Sequence, residues 1–132
     1  MIAMDDPDAE DYIVKDIAPA SKGIYWRWSY DRPELVIQLK QTANLRAAID
    51  FSIVAETLKT TGPVTVTLFV NGNAIVSKRY KVPADYHLEG PVAAGLAATP
   101  GAVRLAVEAR PIWVSPTDGQ HLGIVLIRAG FL

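Results

Sequence analysis

Val64-Thr65-Val66-Thr67-Leu68-Phe69-Val70-Asn71-Gly72 places Val64, Val66, Leu68 and Val70 on one side and Thr65, Thr67 and Phe69 on the other, then ends in Asn-Gly. A period of two is a strand with one buried face. Asn-Gly readily supplies two successive residues at positive φ, so a tight hairpin follows, with its return strand over Ala74 to Val82 and a stop at Pro83. The same pattern extends in both directions. Upstream, Leu45, Ala47, Ile49, Phe51 and Ile53 alternate with Arg46, Ala48, Asp50 and Ser52; downstream, Val103, Leu105, Val107 and Ala109 alternate with Arg104, Ala106, Glu108 and Arg110.

Further strand signals cover Tyr12 to Ile17, Ile24 to Tyr30, Glu34 to Gln41 and Leu122 to Ala129, with turn punctuation at Ala18 to Gly23, Asp31-Arg32-Pro33 and Pro100-Gly101. Val54 to Lys59 allows one helical turn, and Pro83 to Pro100 and Val114 to Gln120 read as long loops. The expected architecture is all-β: a two-sheet antiparallel β-sandwich (jelly roll) of about eight strands. It forms a single domain over residues 12–132. Residues 1–11, acidic and aperiodic, are expected to be a disordered leader.

At 132 residues the chain can bury a full core without staples, which suits its lack of cysteine. That lack excludes disulfides, thiolate metal sites and cysteine nucleophiles. Asp5, Asp6, Asp8, Glu10 and Asp11 are five of the 14 acids, so the remainder carries nine acids against 13 Lys and Arg. Those bases are scattered, with Lys78, Arg79 and Lys81 the densest group, which argues against nucleic acid as a partner. No stretch approaches the ~20 apolar residues of a membrane span and no basic signal region opens the chain, so the expectation is no membrane association and a cytoplasmic location.

Catalytic signatures are missing from the sequence. There is no Gly-x-Ser-x-Gly elbow and no phosphate-binding Gly-x-x-x-x-Gly-Lys loop, and His87 and His121 are the only histidines. The reading is therefore a non-enzyme with no cofactor and no metal site. Two stretches stand out. Tyr25-Trp26-Arg27-Trp28-Ser29-Tyr30 puts Trp26, Trp28 and Tyr30 on one face of a strand, as plugs for the core or as a stacking surface for the C–H face of a sugar. The loop Trp113 to His121 combines an aromatic ring, the Asp118 carboxylate and an imidazole ahead of the last strand. Asp118, standing before Gly119, is also a ready turn former.

The run of strands from Gly23, the Asn71-Gly72 hairpin, the Pro83 to Pro91 stretch and the ending Asp118-x-Gln120-x-Leu122-Gly123-x-x-Leu126 resemble the galactose-binding-like jelly-roll domains. Small accessory modules of bacterial glycosyltransferase and polysaccharide systems are the nearest in kind. Those modules often end in Asp-x-Arg-x-Leu-Gly, and Gln120 stands here in place of the arginine. The resemblance implies a non-catalytic module that binds a carbohydrate or serves as a contact surface for a partner; taken with the aromatic strand and the loop, the reading is a carbohydrate-binding-type module whose expected ligand-binding residues are Trp113, Asp118, His121, Trp28 and Arg32. The alternative is a structural or assembly domain that contacts a copy of itself or a partner protein, favoured by a hydrophobic content of 50%.

Overall fold

The computed structural model describes residues 1–40, 43–97 and 100–132. Gln41, the expected end of one strand, and positions 98 and 99 of the expected long loop lie outside them. The fold is an all-β antiparallel sandwich of eleven strands among the described residues, three of them only two residues long. In one layer β1 (Ile2–Ala3), β11 (Val125–Phe131), β4 (Arg46–Ile53) and β7 (Ala84–Pro91) lie side by side. The other contains β2 (Ile13–Ile17), β3 (Arg27–Leu39), β8 (Gly101–Arg110), β5 (Val64–Val70) and β6 (Asn73–Tyr80). A small ribbon of β9 (Trp113–Val114) and β10 (His121–Leu122) is added outside them.

Alternation decides which side chains fill the space between the layers. Phe51 and Ile49 of β4, Val66 and Leu68 of β5, Leu105 and Val107 of β8, and Leu126 of β11 are fully buried. Each such side chain contributes about 1.5–3 kcal/mol by leaving water. The hairpin forms where Asn71-Gly72 predicts it, with φ of 48° and 84° and Val70 opposite Asn73. The helical turn is longer than expected: α1 covers Ala55–Thr61 and stops at Gly62, whose φ of 76° suits a residue without a side chain.

β3 belongs to both layers. Its first residues, Arg27 and Trp28, pair with Leu126 and Val125 in one layer, and Glu34 to Leu39 pair with Ala106 to Gly101 in the other. The turn expected at Asp31-Arg32-Pro33 is instead a corner within this strand. Opposite it, Lys15 pairs with Glu34 and Ile17 with Ser29, so two steps along β2 span five along β3 and the extra residues swing outward. Asp16 sits in the gap at φ 60°, its Oδ2 accepting the Arg32 backbone N–H at 3.1 Å. Proline is tolerated at such a break in the ladder, which is why Pro33 does not end the strand.

Two further expectations need correction. The expected long loop from Pro83 contains β7, paired with β4 from Arg46↔Pro91 to Ile53↔Ala84. Its sequence, Ala-Asp-Tyr-His-Leu-Glu-Gly-Pro, hides the alternation because Gly90 occupies an inward position and polar residues fill the outer ones. Residues 1–11, the expected disordered leader, lie against the body of the domain. Ile2 and Ala3 pair with Ala129 and Arg128, the Met4 side chain is fully buried, and Ala9 closes a short 3-10 turn against the body. Sequence periodicity misses this segment because it docks through isolated residues and not through a repeating face.

Candidate functional site

Along the start of β3, inward and outward positions carry the reverse of the usual chemistry. Arg27 and Ser29 are the buried, inward residues. Trp26, Trp28 and Tyr30 point outward and are half-buried, so they do not plug the space between the sheets. The inward Arg27 is satisfied by the N-terminal segment: its Nε donates to the Met4 carbonyl at 2.9 Å and its guanidinium pairs with Glu10. Outside, Trp26 and Trp28 meet edge to face at 6.4 Å, and Trp113 lies 6.1 Å from Trp28 at a tilt of 48°.

Trp113 reaches Trp28 because β9 and β10 fold over this part of β3. In that ribbon Trp113 is opposite Leu122, and Val114 is opposite His121. Directly opposed residues share a face of an antiparallel pair. Trp113 thus lies on the covered face with buried Leu122, whereas His121 and Val114 lie on the exposed face. The aromatic ring and the imidazole at the two ends of the loop occupy opposite sides of one ribbon.

On the exposed side a shallow depression of about 410 Å³ is lined by Asp16, Tyr30, Asp31, Gln120 and His121. The β3 corner brings in Tyr30 and Asp31, the left-handed Asp16 comes from the opposing strand, and Gln120 and His121 arrive from the end of the loop. His121 Nδ1 lies 2.9 Å from Asp31 Oδ1, and both side chains are about half exposed, so the pair is weak in water. An aromatic face, two carboxylates, an amide and an imidazole converge there, a set that can stack on an apolar ring face and exchange hydrogen bonds with hydroxyl groups.

Of the residues expected from sequence, Trp28 and Trp113 are brought together and His121 enters the depression. Asp118 and Arg32 are not among its lining residues. Asp118 closes its own turn, Oδ1 accepting the Gln120 N–H at 3.0 Å. Arg32 turns onto the outer face of the second layer, where it pairs with Glu108 at 2.6 Å and stacks 4.3 Å over the Phe69 ring. Tyr30 belongs to the aromatic row that the sequence offers as a stacking surface, whereas Asp16, Asp31 and Gln120 are not among the ligand-binding residues expected from it. The one available signal was the polar interruption Asp31-Arg32-Pro33 between two strand patterns, which marks a corner where side chains can be redirected.

A separate polar array covers the outer face of β4, β7 and β11. His87 sits between Asp50 (2.6 Å) and Glu89 (2.8 Å), Arg128 pairs with Asp50 at 2.8 Å, and Arg46 pairs with Glu89. The hydrogen bond to Asp50, then that to Glu89, raises the His87 pKa; Arg46, then His87, lowers that of Glu89. No group of three or more His, Cys, Asp and Glu side chains suited to a metal ion occurs among the described residues.

No family model matches the chain, and no curated protein matches it. Solved structures overlay loosely on it. The CBM36-1 domain of a multidomain xylanase from the hindgut metagenome of Trinervitermes trinervoides is 12% identical, with 89% of this chain and 86% of that chain covered and a TM-score of 0.47. A carbohydrate-binding module CBM36 in complex with calcium and xylotriose is 13% identical over 92% and 96%, with a TM-score of 0.45. The C-terminal domain of EclA, a sugar-binding protein, is 17% identical over 90% and 89%, with a TM-score of 0.49. The fold rests on the strand ladder described above, and the ligands of these neighbours are properties of those proteins. Among the described residues no helix is long and apolar enough to cross a membrane.

Proposed function

We propose that this domain binds carbohydrate without transforming it, and that the contact surface is the depression at the β3 corner. The observation that carries this reading is the convergence of Tyr30, Asp16, Asp31, Gln120 and His121 on one shallow surface, in line with the outward row of Trp26 and Trp28. Sugars need this combination: a ring face for their C–H groups and fixed acceptors for their hydroxyls. Trp28 and Trp113 support the site from its flank and Asp118 supports it by shaping the turn before Gln120. Arg32 holds the corner through Glu108. Carbohydrate recognition in so open a depression calls for weak, millimolar-to-micromolar binding, about 4–8 kcal/mol.

Isothermal titration with soluble xylo-, cello-, manno- and chito-oligosaccharides and with uronate-bearing oligosaccharides tests the proposal. The expected result is binding of at least one of them, with an affinity that falls about tenfold or more in Tyr30→Ala and Asp31→Asn at unchanged melting temperature. Silence of the whole set at millimolar concentration overturns it.

A further inference from the structure

The candidate site is assembled from two pieces of chain some ninety residues apart: the β3 corner with Tyr30 and Asp31, and the segment with Gln120 and His121. The one side-chain link between them on the surface, His121 to Asp31, is too exposed to hold them in register. The link beneath is of another kind. Ser29, buried between the two layers, donates its hydroxyl to the Ile124 carbonyl at 3.0 Å and accepts the Ile124 N–H at 2.8 Å. Its backbone N–H also reaches the Ile124 carbonyl at 2.9 Å, and its carbonyl accepts the Gly123 N–H at 2.9 Å. Both the donor and the acceptor capacity of this hydroxyl are used on a single residue of the other segment.

Gly123 makes the arrangement possible. A Cβ there would come within 2.8 Å of Ser29 Oγ and 3.3 Å of the Tyr30 carbonyl. The serine oxygen cannot swing aside cheaply, because doing so in a buried place leaves the Ile124 N–H without its partner. The Leu122-Gly123 pair of the sequence motif thus acquires a physical meaning: Leu122 is buried under the ribbon and Gly123 lets the serine hydroxyl through.

We infer that Ser29 is a positioning residue for the site: through the space left by Gly123, its hydroxyl clamps the strand bearing Tyr30 and Asp31 to the segment bearing Gln120 and His121. This inference rests on the carbohydrate reading for its affinity readout but not for its geometric one. Ser29 touches no ligand; it sets the distance between the two halves that do.

The experiment compares Ser29→Ala with Val103→Ala, a buried position opposite Ile37 toward the far end of β8, at a temperature well below both melting points. With the oligosaccharide that binds wild type most tightly, Ser29→Ala is expected to weaken binding about tenfold, whereas Val103→Ala changes it less than about twofold. Gly123→Ala should weaken binding in the same direction, and by less when introduced into Ser29→Ala, where the clashing oxygen is gone. Wild-type affinity in Ser29→Ala, or equal losses in Ser29→Ala and Val103→Ala, overturns the inference. The second readout needs no ligand: a crystal structure of Ser29→Ala should show His121 and Asp31 separated beyond hydrogen-bond distance, and retention of the 2.9 Å pair overturns the inference. If wild type binds no oligosaccharide, the proposed function fails while this distance still decides the clamp.

Discussion

Gly90 of β7 lies against Val76 of β6 so closely that a Cβ on the glycine would fall 2.8 Å from the Val76 Cβ and 3.0 Å from its Cγ1. These strands are the outermost of the ladder, and no hydrogen-bonded pairing between them is described. Their side-chain contact nearly closes the sandwich along that seam.

Gly90→Ala therefore overpacks the seam. Val76 is β-branched and stiff, and the closest approach is to its Cβ, which no rotation moves. The expected loss is about 1–3 kcal/mol. Val76→Ala in the same chain should recover part of it, and an unchanged melting temperature in Gly90→Ala would show that the strands separate freely.

Removing residues 1–11 takes away both described partners of Arg27, which is only 3% exposed, together with the buried Met4 side chain. A buried guanidinium left without its partners destabilises by about 3 kcal/mol or more. Thermal unfolding of the truncated chain should show a large drop. Glu10→Gln, at an exposed partner, should show a small one.

His87 gives stability an acid-side component. Its folded pKa lies above the ordinary imidazole value of 6.5, owing first to the hydrogen bond with Asp50 and then to that with Glu89. The protonated ring is thus favoured in the folded state, so the stabilisation is fully present below the unfolded pKa and fades as pH rises through the raised folded one. It also needs its carboxylates ionised; Glu89, lowered from 4.5, loses its own contribution as pH falls through its folded pKa. The melting temperature of wild type minus that of His87→Gln should therefore be largest between about pH 5 and 6 and shrink toward pH 8. A difference that is flat across that range would rule out the coupling.

Phe51→Ala and Leu68→Ala each empty a fully buried position facing the space between the layers. Denaturant titration should report losses of about 2–5 kcal/mol at each. A loss below about 1 kcal/mol at both would mean that this face does not pack as described.

Much of this architecture is a local property of the chain. Alternation over Leu45 to Ile53, Val64 to Val70 and Val103 to Ala109 dictates strands with one buried face, and Asn71-Gly72 dictates the hairpin, because side-chain period and backbone φ preference act within a few residues. The aromatic row of Trp26, Trp28 and Tyr30 was legible in the same way, as a shared face. Which side that face took was not. A period of two says that Arg27 and Ser29 oppose the rings but not which set is covered, and burial of the polar set depends on partners at Met4, Glu10 and Ile124 that are remote in sequence.

The site shows the same division. Trp113, Asp118 and His121 could be picked out by residue type, but only β-pairing put Trp113 and His121 on opposite faces, and only the tertiary bonding of Ser29 to Gly123 and Ile124 brought the segments of Asp31 and His121 together. The sequence alone determined an all-β chain, most of its strands and the shared face of the Trp26, Trp28 and Tyr30 rings, because those follow from local pattern. The docked N-terminus, the corner in β3 and the meeting of two distant segments were decided by tertiary structure, because each depends on buried hydrogen bonds whose partners no local pattern identifies.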